Sequence, residues 1–145
     1  MTHLPPDLEL LGVRTGPSLE LPWYLAEVSA GFPSPADDFI DRALDLNEHL
    51  IRHPQATFFV RAHGDSMLGA GIHDQDLLIV DRALQPGNNA VVIAALNGEL
   101  TVKRLRRQGT RLLLQPENAD YEPIEITPET DFEIWGQVTH VIHKV

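Results

Sequence analysis

Ala90-Val91-Val92-Ile93-Ala94-Ala95-Leu96-Asn97-Gly98-Glu99-Leu100-Thr101-Val102-Lys103-Arg104-Leu105 decides the fold class. Two β-prone runs, 90–96 and 99–105, flank Asn97-Gly98. A two-residue Asn-Gly link is the strongest short-range hairpin signal, because the favoured turn needs positive φ at both central residues. Side chains alternate along the return strand, so Thr101, Lys103 and Leu105 share one face and Val102, Arg104 and Arg106 the other. Lys103 is thus expected between Thr101 and Leu105, partly out of water, with Arg104 and Arg106 toward solvent.

Further strands are expected over about 57–62, 77–81, 111–115, 124–126 and 132–142, several divided by turn signals such as Gly69-Ala70-Gly71 and Pro86-Gly87-Asn88. Many short strands at this spacing predict a mostly β, small curled structure rather than an α/β sheet. Ahead of them, Phe39, Ile40, Ala43, Leu44, Leu46, Leu50 and Ile51 have helical spacing within 37–53. Asp45-Leu46-Asn47-Glu48 resembles a capping box opening a short second helix that ends before Pro54. Residues 1–35 hold six of the 11 prolines and sustain neither period. They read as an extended arm lying on or leaving the domain, too short for a helix-turn-helix headpiece.

Composition narrows the function classes. A chain of 145 residues with 22% charged residues is one soluble domain's worth of sequence. The net charge of −10 argues against a dedicated nucleic-acid binder. No cysteine is present, which excludes disulfides, thiol catalysis and cysteine zinc sites. The apolar runs fall far short of the ~20 residues of a membrane span, and the N-terminus has no secretory pattern. A cytoplasmic location is expected.

The chemistry centres on Gly64-Asp65-Ser66-Met67, a polar turn after the 57–62 run, and on Lys103. A serine hydroxyl becomes a nucleophile when a base takes its proton, and a lysine serves only with a neutral amine, which burial favours. Arginine cannot do this, because it keeps its proton in proteins. By position alone Lys103 also reads as one more charge in the cluster Lys103, Arg104, Arg106, Arg107 and Arg111, a solvated face. Ala30-Gly31 joins two tiny side chains within the proline-flanked Val28–Pro33 segment, the extended, unhindered backbone a protease reads.

Other templates fit less well. The nucleophile elbow wants glycine two residues after serine, where Leu68 stands. Position 69 is glycine, not the lysine of Ser-x-x-Lys. A triad of Ser66 with His63 or His73 and Asp65, Asp74 or Asp76 is open on composition, with no spacing rule in its favour. His49 and His53 are four apart on the expected helix, but His-Glu-x-x-His is absent, and His140 and His143 would point to opposite faces of a strand. No metal site is expected.

Gly31-Phe32-Pro33-Ser34-Pro35-Ala36, Gly64-Asp65-Ser66-Met67, Asp74-Gln75-Asp76-Leu77-Leu78-Ile79-Val80-Asp81 and Glu99-Leu100-Thr101-Val102-Lys103 occur in order and at compatible spacing. Together they resemble the LexA/UmuD self-cleaving serine peptidases (peptidase S24), from about Ala30 to the C-terminus. The resemblance implies the mostly β catalytic domain of that family, with a short N-terminal helical stretch and an extended arm, acting as a homodimer. It implies Ser66 as nucleophile, Lys103 as general base, Ala30-Gly31 as the cleaved bond and the Ser66 and Met67 amides as oxyanion donors. It divides the chain into a removable arm, 1–30, and a peptidase domain, 31–145.

The implied partners are a RecA filament on single-stranded DNA, which stimulates cleavage, and an UmuC-type translesion DNA polymerase, which takes up the shortened product. No cofactor, metal, membrane or strong direct nucleic-acid contact is implied. Residues 1–23 match no motif of the family. A non-catalytic binding platform and a peptidase acting in trans stand as alternatives, and Arg104, Arg106, Arg107 and Arg111 as a weaker nucleic-acid surface.

Overall fold

The computed structural model describes residues 8–11, 18–24 and 40–145. The chain divides into two units, to which the described residues contribute 8–11 with 53–145, and 18–24 with 40–52. In chain order the elements are β1 (Leu8–Leu11), β2 (Glu20–Tyr24), β3 (Ile40–Asp45), α1 (Leu46–Leu50), β4 (Thr57–Ala62), β5 (Leu77–Asp81), β6 (Val91–Leu96), β7 (Glu99–Gln108), β8 (Arg111–Gln115), β9 (Ile124–Ile126) and β10 (Phe132–Ile142).

The larger unit is a mostly β structure, an eight-stranded antiparallel sheet in the order β1-β4-β5-β10-β6-β7-β8-β9. The β6–β7 hairpin has Leu96 opposite Glu99, and Asn97 and Gly98 take φ of 50° and 85°, as the primed turn requires. β7 runs past Leu105 to Gln108 because β8 supplies its second edge with partners, Gln108 pairing with Arg111 across the Gly109 turn. β10 joins the two halves of the sheet, pairing with β6 through its first part and with β5 through its last, with register shifts at Ile134/Gly136 and Val138/His140. Gly136 is needed at this crossing: a Cβ there would lie 2.7 Å from Val80 Cγ1.

Both faces of the central strands are buried. Val60, Leu78, Val80, Ile93, Leu100 and Val102 form one apolar cluster, which Met67 and Ile72 enter from the β4–β5 connection. Val92, Ala94, Leu105 and Leu114 form a second. Val92, Ile93 and Ala94 are all fully buried, so β6 reads as a continuous apolar run rather than an alternating one.

In the smaller unit β2 pairs with β3, Leu21 opposite Leu44. This corrects the helix expected over 37–53: Ile40–Asp45 is a strand, and 37–39 lie outside the described residues. The apolar positions suit either period over so short a run, and pairing with β2 overrides the helical preference of Arg42, Ala43 and Leu44. The capping expectation at Asp45 fares better. α1 starts there, the Asn47 amide donating to Asp45 Oδ1 at 3.1 Å and Ser18 Oγ to Asp45 Oδ2 at 2.8 Å. Parts of the proline-rich arm are thus extended and paired: β2 in this unit, and β1 in the larger one, where Leu8 pairs with Ala62.

Candidate active site

Ser66 is presented by a turn tied down on three sides. Gly64 opens it with φ +89°, and its amide donates to Asp74 Oδ1 at 2.7 Å. Met67 then buries its side chain in the first apolar cluster, pinning the backbone directly after the serine. The segment after β8 straps the same turn: the Glu117 amide donates to Ser66 O at 2.9 Å, and the Gly69 amide donates to Glu117 O at 2.8 Å. Asn118 Nδ2 donates to Asp65 O at 2.8 Å, and Tyr121 Oη to Asp65 Oδ1 at 2.6 Å. Ser66 itself is half-buried.

Lys103 comes from the middle of β7, opposite Val92 of β6, and is 7% exposed. Its Nζ donates to Ser66 Oγ at 3.2 Å, Thr101 Oγ1 at 2.9 Å and Val102 O at 3.0 Å. Two residues 37 apart in sequence therefore stand in hydrogen-bond contact. These three acceptors carry no charge. Among the described residues the Ser66 and Met67 amides donate no hydrogen bond within the protein.

The remaining sequence candidates separate. Ala30 and Gly31 lie outside the described residues. Among the described residues no histidine is bonded to Ser66: His63 Nδ1 meets Gln75 Nε2 at 2.8 Å, and Asp65 serves Tyr121. α1 ends at Leu50, so His53 is not on it and instead bonds Asp81 through Nδ1 at 2.6 Å. The arginines expected toward solvent are partly engaged. Arg104 pairs with Glu117 and Arg111 with Glu125, while Arg104 and Arg106 also donate to Asn89. Acidic and amide partners thus offset this basic run.

Sequence reasoning did not single out Thr101 as the lysine's partner, although its place two residues earlier on the same face was the available signal. Glu117, Asn118 and Tyr121 gave no signal, since only folding brings them to the turn.

The sequence pattern of the Peptidase S24-like family matches residues 22–139, which runs from within β2 through most of β10 and includes both residues of the contact. The chain belongs to the peptidase S24-like family. It is 46% identical to the protein MucA of Salmonella typhimurium over 121 residues, covering 83% of this chain and 82% of that one. It is 48% identical to SamA of Salmonella typhimurium over 123 residues, 85% of each chain. LexA repressor 2 of Pseudomonas syringae pv. tomato is 39% identical over 146 residues, 99% of this chain and 71% of that one. The S24-like chain is accordingly an UmuD-like, SOS-related member of the self-cleaving serine peptidases. Among its described residues no helix is long and apolar enough to cross a membrane.

Proposed function

We propose that this chain cuts its own arm between Ala30 and Gly31, with Ser66 as nucleophile and Lys103 as general base. The observation that carries the reading is the 3.2 Å contact between Lys103 Nζ and Ser66 Oγ, made by a buried amine. With the amine neutral the same contact runs in reverse, Ser66 donating its proton to Nζ while Oγ attacks the Ala30 carbonyl carbon. The oxyanion is met by the Ser66 and Met67 amides. The Ala30–Gly31 bond then breaks as Lys103 returns the proton to the Gly31 nitrogen. Water, losing a proton to Lys103, attacks the acyl-enzyme; the Ser66 ester breaks and Oγ recovers that proton. Thr101 Oγ1 and Val102 O orient the amine throughout.

The arm, 1–30, is a tethered substrate of the peptidase domain, 31–145, so the rate follows the fraction of arms docked at Ser66. In this reading the protein is a cytoplasmic homodimer. A RecA filament on single-stranded DNA raises the docked fraction, and the 31–145 product joins an UmuC-type polymerase for synthesis across damaged templates. The test is intact mass over time for wild type, Ser66→Ala and Lys103→Ala, at neutral and alkaline pH, with and without the filament. A break after Ala30, faster in alkali or with filament and absent from both variants, is expected. A wild type that stays whole in every condition while all three fold overturns the reading.

A further inference from the structure

His73, Asp76 and His143 meet at one point of the larger unit, 67 residues separating Asp76 from His143. His73 and Asp76 lie in the connection leading into β5, and His143 follows the last residue of β10, the strand beside β5. One candidate ligand atom from each residue can be chosen so that all three lie within 4.8 Å of one another. Asp76 is 2% exposed, while the two histidine side chains are 49% and 44% exposed, giving a site with a buried carboxylate floor and an open side.

The hydrogen bonds present do not account for all three groups. His143 Nδ1 meets Asp76 Oδ1 at 2.6 Å, and the His73 amide donates to Asp76 Oδ2 at 2.7 Å. The His73 ring is different: its Nδ1 stands 3.6 Å from Asp76 Oδ2, too far for a hydrogen bond, and the ring is tilted by 30° over that of His143 with centroids 4.4 Å apart. Ligands held about 2.0–2.1 Å from a tetrahedral zinc lie about 3.3–3.4 Å from each other, close to that separation. The 2.6 Å contact of His143 Nδ1 runs to the other carboxylate oxygen, Oδ1, and is a hydrogen bond that the ion would replace. The His143 ring is half-exposed and lies beyond the end of β10.

We propose that His73, Asp76 and His143 bind a divalent transition-metal ion, Zn²⁺ being the best match, with water at the open fourth position. Two imidazoles and one carboxylate are a donor set suited to zinc. The ion would staple the end of β10 to the connection that braces the Ser66 turn. That connection is bonded to the turn through Gly64 N to Asp74 Oδ1, and to β4 through Gln75 N to Ala62 O at 2.7 Å and Ala62 N to Asp76 O at 2.8 Å. The metal site is independent of the roles given to Ser66 and Lys103.

The test uses the full chain stripped with chelator, titrated calorimetrically with Zn²⁺, alongside Co²⁺ followed by visible absorption. One ion per chain, a four-coordinate Co²⁺ spectrum and a metal-dependent rise in melting temperature are expected. His73→Gln and His143→Gln should each weaken Zn²⁺ binding by about 100-fold or more, beyond the loss of an outer-shell contact. His49→Gln and His53→Gln should not. Failure of the wild type to bind, or binding that persists in both site variants, overturns the proposal. Should either variant fail to fold, the wild-type Co²⁺ spectrum decides, an octahedral one overturning it.

Discussion

Gly69→Ala tests whether the strap from Glu117 sets the position of the serine. An alanine Cβ at 69 would lie 2.8 Å from Glu117 O and 3.3 Å from Glu117 Cβ. The obstacle is backbone, and it is the acceptor for the amide of residue 69 itself, also at 2.8 Å. Retreat to ordinary contact moves the Glu117 peptide by about 0.6 Å and stretches that hydrogen bond beyond the normal range, a loss of about 0.5–1.5 kcal/mol. Staying put incurs an overpacking cost of about 1–3 kcal/mol. The unfolded chain's lower entropy returns about 0.4–1 kcal/mol. Retreat is the cheaper of the two routes, so the net expectation is a destabilisation of at most about 1 kcal/mol by urea melts.

Cleavage should suffer more than stability. The Glu117 amide also holds Ser66 O at 2.9 Å, so a shifted strap misplaces the nucleophile. A 1 Å error costs about 100-fold, so roughly tenfold slower self-cleavage is expected by intact mass. Gly71→Ala is the control. It lies in the same turn with φ +80°, and a methyl group there would meet nothing within 4 Å. It should therefore cost backbone strain of about 1 kcal/mol with little effect on rate. A Gly69→Ala protein that cuts as fast as Gly71→Ala refutes the reasoning.

Lys103→Ala should remain folded by circular dichroism and lose at least about 100-fold in self-cleavage, the usual share of a general base; normal cutting would remove the lysine from the mechanism. Burial raises the Asp76 carboxyl, but bonds from the His73 amide and His143 together with the charge of both histidines outweigh it and hold the group below its usual value. A carboxyl lowered on folding adds stability above its unfolded value near 3.9, lost as pH falls through the lower folded one. Asp76→Asn should therefore destabilise the chain at neutral pH, and denaturant melts should show the gap closing in acid; a gap independent of pH contradicts this. Leu100→Ala, at a fully buried site in the first cluster, should cost about 2–5 kcal/mol in a urea melt, whereas a cost below about 1 kcal/mol would mean that the cluster collapses around the gap.

Several strands could be placed from sequence because their signals are local. Asn97-Gly98 requires a tight turn, and β-prone runs bounded by glycine, proline and asparagine bracket β4, β5, β8, β9 and β10 within a few residues. The motifs around Ser66 and Lys103 likewise named the family and the chemistry to look for. Ile40–Asp45 shows where local signals fail: six residues fit a helix or a strand, and the partner strand β2 decided between them. Only tertiary structure set the 3.2 Å between Ser66 and Lys103, the burial of that amine, the Glu117 strap and the meeting of His73, Asp76 and His143. Each joins residues far apart in the chain, and their distances depend on how β7, β10 and the β4–β5 connection pack together. A turn or an alternation is specified by neighbouring residues, but a contact across a sheet is specified by everything that holds the sheet.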